Sequence, residues 1–148
     1  MKQKAVIMDM DGTLVDVSSL RHLIASSLKS KNFDEFHRQS INCPPIDWVA
    51  NAAREAHKEG LKILVVTARQ DTYRDVTSLW LSMHSIPSDR IVMRITGDHR
   101  PDHEVKADML AQLDGVYQIV KAFDDRPSVV KLWESRGIPT ITVPGWID

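Results

Sequence analysis

Residues 5–13 read AVIMDMDGT. The first four of them are apolar and predict a buried strand, and Asp9 and Asp11 stand where that strand ends. Alternate residues of a strand point to the same side, so both carboxylates can face one crevice. Two carboxylates this close repel each other unless a cation lies between them or one carries a proton. Gly12 permits a sharp turn and Thr13 can hold it, although an isolated stretch of this kind is more often an Asx-rich turn.

The composition predicts a single globular domain. The chain has 148 residues, of which 43% are hydrophobic and 26% charged, with a net charge of -1, and these are ordinary values for a globular protein. The net charge gives no sign of an overall basic surface for binding nucleic acid. Cys43 stands alone and cannot form an internal disulfide, which fits a reducing compartment. No signal-peptide pattern or membrane-length apolar stretch is present, so we expect a cytoplasmic protein with no membrane association and no obligate protein partner.

Short apolar runs and helical patterns alternate along the chain. The runs are rich in Val and Ile and nearly continuous, which is typical of strands covered on both faces. The predicted strands are residues 4–8, 62–66, 91–95, 119–123 and 140–143, and the predicted helices are 18–29, 46–59, 71–84, 102–113 and 127–136. This alternation favours a doubly wound, Rossmann-like α/β fold. We predict one domain over residues 1–148, a three-layer sandwich with a five-stranded parallel sheet and helices on both faces, and a small helical insert or cap at residues 14–44.

Polar residues stand at or near the ends of the predicted strands, where such sheets bind ligands. Besides Asp9 and Asp11, they are Thr67, Arg69, Arg94, Arg100, Lys106, Asp124 and Asp125. Clustered carboxylates suit a hard cation such as Mg²⁺, which also takes waters and a substrate phosphate as ligands. A threonine hydroxyl and a lysine ammonium suit the other phosphate oxygens. One carboxylate can attack the phosphorus to give an aspartyl phosphate, and a second can move the proton.

The order Asp-x-Asp-Gly-Thr, strand-Thr, Lys and apolar-Asp-Asp resembles the haloacid dehalogenase superfamily of phosphohydrolases over nearly the whole chain. The resemblance implies a Mg²⁺-dependent phosphomonoesterase with Asp9 as the nucleophile and Asp11 as the general acid/base. It also implies that Thr67 and Lys106 hold the phosphoryl group. The metal ligands that it implies are the carboxylate of Asp9, the main-chain carbonyl of Asp11, and Asp124 with Asp125.

Residues 93–102 (MRITGDHRPD) with Lys106, and residues 123–126 (FDDR) with Trp133, carry a second resemblance. They are similar to the phosphatase half of bifunctional phage polynucleotide kinase–phosphatases, which removes 3'-phosphates from nucleic-acid ends. The resemblance implies a 3'-phosphorylated nucleic-acid end as the substrate. The chain has no Gly-x-x-x-x-Gly-Lys-Ser/Thr loop, so no kinase half is expected.

Three arginines complete the candidate phosphate-binding residues. Arg69 and Arg100 follow predicted strands, and Arg94 lies within one. A cation inside an apolar strand needs a partner, and a substrate phosphate or one of the aspartates could serve Arg94.

Other functions fit parts of the pattern. A phosphatase of nucleotides or other small phosphate esters would use the same residues. A receiver-like phosphate switch also combines an acidic cluster, a threonine and a lysine, but there the lysine comes last, whereas Lys106 precedes Asp124 and Asp125. A catalytically inactive interaction module would not need competent residues at all of these positions.

Overall fold

The central element of the fold is β1, which pairs with β2 on one side and β4 on the other. The computed structural model describes residues 1–25 and 31–147. All five predicted strands form one sheet of order β3-β2-β1-β4-β5, and every pair is parallel. The strands are β1 (Gln3–Met8), β2 (Lys62–Gln70), β3 (Arg90–Arg94), β4 (Tyr117–Asp124) and β5 (Thr140–Thr142). The helices are α1 (Phe33–Gln39), α2 (Asp47–Lys58), α3 (Arg74–Met83), α4 (Asp102–Asp114) and α5 (Pro127–Ser135). The predicted doubly wound α/β fold is confirmed.

Successive residues of β1 enter two apolar cores, one on each face of the sheet. Val6 and Met8 pack into the core that contains α2, α3 and the buried Trp80. Ala5 and Ile7 pack into the core that contains α4 and α5. Burying a valine, isoleucine or methionine side chain stabilises the fold by about 1.5–3 kcal/mol. The two cores explain why the strand sequence is apolar throughout instead of alternating.

The strand β2 is longer than its apolar run predicts. It continues past Val66 to Gln70, and its pairing with β3 shifts register between Thr67 and Gln70. Thr67 and Arg69 therefore lie in the irregular end of the strand, not in a loop after it. This correction matters because it brings both residues to the carboxyl edge of the sheet, next to the end of β1.

Residues between β1 and α2 form short helices above the sheet edge. The predicted helix at 18–29 begins instead as a 3₁₀ helix, Ser18–Leu23, and residues 26–29 of that prediction lie outside the described residues. The separate helix α1 begins where the Asn32 side chain accepts a hydrogen bond from the Glu35 main-chain N–H at 3.1 Å. No helix in the described ranges is long and apolar enough to cross a membrane.

Candidate active site

Three buried carboxylates converge where β1 and β4 end. Oxygen atoms of Asp9, Asp124 and Asp125 all lie within 4.8 Å of one another. Lys106, which is on the first turns of α4, donates to Asp9 Oδ1 at 3.0 Å and to Asp124 Oδ2 at 2.8 Å. The structure therefore brings four of the predicted site residues together.

This cluster carries more negative charge than Lys106 neutralises. Burial and the charge of Asp124 raise the pKa of Asp9 well above its usual value. The same two causes raise the pKa of Asp125 to about 6. Burial alone would lower the pKa of Lys106, but Asp124 and Asp9 outweigh it and raise that pKa, so the ammonium stays protonated. When all three carboxyls are ionised they exceed the single ammonium by two negative charges, and a divalent cation can balance that excess.

The turn after β1 is shaped around one of these carboxylates. Gly12 has a φ of +80°, and a Cβ at this position would overlap the Asp125 carboxylate. Only glycine therefore lets Asp125 lie against the turn. Thr13 is fully buried, and its Oγ1 lies 3.3 Å from Asp9 Oδ2 and 3.4 Å from Asp125 Oδ1. The sequence predicted Thr13 only as a residue that holds the turn.

Asp11 lies apart from the cluster, against Arg69. Arg69 donates to it through both Nε (3.0 Å) and Nη2 (2.6 Å), and its other hydrogen bonds go to Thr77 Oγ1 and Ser40 Oγ, each at 3.0 Å. Burial alone would raise the pKa of Asp11, but the Arg69 guanidinium outweighs it and lowers the pKa. The His37 Nδ1 atom lies 3.9 Å from Asp11 Oδ2. Ser40, Thr77 and His37 were not predicted, because lone polar residues in a helix or insert carry no sequence signal.

The Thr67 side chain is buried at the end of β2. Its Oγ1 accepts a hydrogen bond from the Arg69 main-chain N–H at 3.2 Å. A hydroxyl that accepts can still donate its own proton, so Thr67 can serve a substrate oxygen. It lines the same cavity as Asp9 and Lys106.

The two arginines from β3 and the following loop contact protein groups. Arg94 donates, over 2.7–2.9 Å, to the main-chain carbonyls of Ala68, Asp98 and Arg100 and to the carboxylate of Asp102. Its guanidinium thus ties the loop after β3 to β2 and α4. Arg100 is 48% exposed at its side chain and pairs with Asp98 at 2.8 Å and Asp108 at 2.6 Å. Both arginines line the cavity, and neither contacts the acidic cluster among the hydrogen bonds described here.

A cavity of about 540 Å³ opens above the acidic cluster. Its floor is formed by the ends of the strands, including Asp9, Asp11 and Thr67. One wall comes from the insert and the segment after β2, and its aromatic residues are Phe33, Phe36, His37 and Tyr73. Arg126 also lines the cavity, and its guanidinium lies 4.6 Å from the centre of the Trp146 ring.

Comparison with known proteins agrees with this geometry. Residues 3–145 match the family described as "Polynucleotide kinase PNKP phosphatase domain", a haloacid dehalogenase (HAD) family. The chain is 28% identical to a chain of the solved Pnkp1/Rnl/Hen1 complex, with a TM-score of 0.81 over 96% of this chain and 46% of that one. It is 25% identical over 140 residues to a protein of Autographa californica nuclear polyhedrosis virus described as a bifunctional polynucleotide kinase/RNA ligase. That match covers 93% of this chain and 19% of the viral protein.

A more distant structure shares the fold alone. The class C acid phosphatase from Bacillus anthracis, solved with tungstate bound, is 16% identical with a TM-score of 0.72 over 97% of this chain and 67% of that one. The chain thus spans less than half the length of the two relatives named above. The predicted resemblance to HAD phosphatases is confirmed.

Proposed function

Because the chain belongs to the PNKP phosphatase-domain family of HAD phosphatases, we propose that it removes 3'-phosphates from nucleic-acid ends. Family membership makes it a phosphatase. The polynucleotide substrate, the Mg²⁺ dependence, the aspartyl-phosphate intermediate and the residue roles are our proposal. We also propose that residues 1–148 act as one domain in which residues 14–44 form a small cap.

The observation that carries the mechanism is the bridge from Lys106 to Asp9 and Asp124. It holds one oxygen of Asp9 at 3.0 Å from a protonated ammonium at the open end of β1, under the cavity. From there the Asp9 carboxylate can attack a phosphorus atom, forming an aspartyl phosphate as the bond to the leaving alcohol breaks. Lys106 and the Thr67 hydroxyl would neutralise and hold the phosphoryl oxygens.

Asp11 is the proposed proton carrier. It would donate a proton to the leaving alcohol oxygen in the first step and take one from the hydrolytic water in the second. The lowered pKa of Asp11 beside Arg69 suits the second step, in which an ionised carboxylate is needed. The position of Arg69 in the sequence had suggested a phosphate-binding role. We propose instead that Arg69 positions Asp11.

The donor set fits a hard divalent cation, and we propose Mg²⁺. The residues that would hold it are Asp9, Asp124 and Asp125, with the Asp11 main-chain carbonyl implied by the family resemblance. When bound, such a cation would neutralise the charge of the phosphoryl oxygens and of the acidic cluster. The negative charge left uncompensated by Lys106 supports this assignment.

The remaining candidate ligands have different proposed roles. Arg94 has its donors committed to the loop and to Asp102, so we propose that it keeps the loop in place. Arg100 is half exposed on the cavity wall, and we propose that it meets phosphates further along the strand.

The family supports a polynucleotide substrate more than a small ester. The viral relative is described as a kinase and RNA ligase, and the solved relative assembles as Pnkp1/Rnl/Hen1. We propose that this chain supplies the phosphatase step alongside kinase and ligase activities, and RNA ends should be tested with DNA ends.

One panel tests the proposal. Phosphate release is measured with Mg²⁺ from 3'-phosphorylated and 5'-phosphorylated RNA and DNA oligonucleotides, mononucleotides and sugar phosphates. Asp9→Asn is compared with Asp75→Asn, whose aspartate is exposed on α3. We expect release from 3'-phosphorylated ends to be much faster than from the other esters, and this activity should be retained in Asp75→Asn and lost in Asp9→Asn.

Three outcomes would contradict it. Equal activity of Asp9→Asn and wild type would exclude the nucleophile, and faster turnover of sugar phosphates would exclude the polynucleotide substrate. A stable phospho-Asp9 without turnover would indicate a receiver-like switch instead.

A further inference from the structure

The position of Asp11, the proposed proton carrier, indicates which wall of the cavity faces the leaving group. The acid that protonates a departing oxygen must lie within hydrogen-bond reach of that oxygen, and this acid is the proposed Asp11. His37, on α1, lies directly beside it, with Nδ1 3.9 Å from Asp11 Oδ2. The wall that continues from His37 therefore faces the alcohol, which in a 3'-phosphorylated end is the terminal nucleoside.

That wall is aromatic. The rings of Phe33 and His37 are nearly parallel, at 21° and 6.3 Å between centroids. Phe36 meets His37 edge-on at 5.1 Å, and Tyr73 lies 4.7 Å from it. The Tyr73 hydroxyl donates to Asp34 Oδ1 at 2.8 Å, which ties α1 to the segment after β2.

Phe33 differs from the other three rings of this wall because it alone is exposed. Phe36 is 2% exposed and belongs to the core under the insert, whereas Phe33 is 49% exposed although it lines the cavity. Lys31 Nζ lies 5.9 Å from the centre of the Phe33 ring, and Arg21 lines the same cavity. An exposed aromatic ring beside one cation, with a second cation lining the same cavity, suits a planar, apolar group that is linked to phosphates.

We propose that Phe33 stacks on the base of the 3'-terminal nucleotide while its 3'-phosphate reaches Asp9, which rests on the 3'-phosphatase function proposed above. Lys31 and Arg21 then face the preceding phosphate of the strand. The cavity of about 540 Å³ is of the size that holds one small-molecule ligand, so it accommodates a single unpaired nucleotide. Every base presents a π-face, so this contact tolerates any terminal base.

Three substrates distinguish an effect on base stacking from an effect on phosphoryl transfer. They are a 3'-phosphorylated oligonucleotide, the same oligonucleotide with an abasic terminal nucleotide, and glycerol phosphate. The main variant is Phe33→Leu, which keeps apolar volume but removes the ring, and Phe33→Trp restores an aromatic face. Trp48→Leu is the matched control, because Trp48 is 47% exposed and packs near Phe123, outside the cavity.

Phe33→Leu should lower kcat/KM for the intact oligonucleotide by roughly 5- to 150-fold, the range that base–aromatic stacking spans. Its kcat/KM for the abasic oligonucleotide and for glycerol phosphate should match the wild-type values. Phe33→Trp should recover most of the loss, and Trp48→Leu should behave as wild type.

Binding provides a second readout. An oligonucleotide with 2-aminopurine at its 3'-phosphorylated terminus should lose fluorescence on binding to Asp9→Asn, as a stacked base does. Adding Phe33→Leu to Asp9→Asn should weaken binding and remove that quenching.

Two results would overturn the stacking proposal while leaving the phosphatase function intact. They are an equal loss for the abasic and intact oligonucleotides, or no loss in Phe33→Leu with retained quenching. A wild-type protein that hydrolyses glycerol phosphate but no 3'-phosphorylated oligonucleotide would instead refute the proposed substrate.

Discussion

Replacing Lys106 with methionine tests the charge balance of the acidic cluster. Methionine keeps much of the apolar stem but removes the ammonium that contacts Asp9 and Asp124 at 3.0 and 2.8 Å. Removing one partner of a buried ion pair typically costs about 3–5 kcal/mol, because the other charge stays buried and unpaired. We expect Lys106→Met to lose about that much unfolding free energy in the absence of a divalent cation.

Added Mg²⁺ should act differently on the two proteins. A cation that binds only the folded state stabilises it according to its affinity and concentration. The variant cluster has one more uncompensated negative charge, so it should bind Mg²⁺ more tightly and gain more stability than wild type. Catalysis should not recover, because the phosphoryl group has lost a preorganised cation, and losing one such donor costs about 10²–10³ in kcat.

Urea unfolding in EDTA and in excess MgCl₂ measures both effects. Lys131→Met is the control, because Lys131 is exposed on α5 and its loss should stay within about 0.5 kcal/mol. Equal stability of Lys106→Met and Lys131→Met in EDTA would refute the expected role of Lys106 in this charge balance. Equal stabilisation of wild type and Lys106→Met by MgCl₂ would refute it as well.

Three further changes have distinct expected results. Gly12→Ala and Gly137→Ala both place a side chain at positive φ (+80° and +76°), but only the side chain at residue 12 would meet Asp125. Each variant should lose about 1–3 kcal/mol of unfolding free energy. Calorimetry should show weaker Mg²⁺ binding in Gly12→Ala alone. Arg94→Lys should lose about 3 kcal/mol of unfolding free energy in denaturant unfolding, because lysine cannot satisfy all the acceptors of Arg94. A raised KM at unchanged stability would instead indicate that Arg94 contacts the substrate. Burial lowers the pKa of His37 to about 4, so His37 should contribute a loss of about 2 kcal/mol between pH 7 and pH 5 as the unfolded chain takes up a proton near pH 6.5. Asp9 and Asp125, whose pKa values burial raises, act in the opposite sense in wild type and variant alike. The unfolding free energy of wild type in EDTA should therefore fall by about 2 kcal/mol relative to that of His37→Phe over this range, and an equal pH dependence of the two proteins would contradict the assignment.

The sheet could be predicted because each strand is buried on both faces and leaves a continuous apolar run. β1 shows this directly, since Ala5 and Ile7 enter one core and Val6 and Met8 the other. The pattern fails where polar residues continue a strand, and so the extension of β2 to Gln70 was missed. It also fails in the insert, where α1 is short and its start depends on a single cap at Asn32.

The acidic cluster could be predicted because strand ends in such a sheet meet at one edge. The partners of Arg69 could not. They are Asp11, Ser40 and Thr77, which lie 58, 29 and 8 positions away in sequence. No local pattern joins these residues, so the sequence predicted Arg69 as a phosphate ligand and could not predict its hydrogen bonds to Asp11.

The sequence also predicted that Asp9 and Asp11 would face one crevice, yet their surroundings shift their pKa values in opposite directions. Burial raises the pKa of both carboxyls, but Asp9 has acidic neighbours, whereas the Arg69 guanidinium lowers the pKa of Asp11 overall. The proposed reaction needs the reverse at its start, because Asp9 must be ionised to attack and Asp11 must hold a proton to donate. A divalent cation held by the acidic cluster would lower the pKa of Asp9, and a phosphate dianion beside Asp11 would raise the pKa of Asp11. In the proposed mechanism, the working protonation states would therefore arise only when both ligands are bound, so the nucleophile and the acid would become competent together.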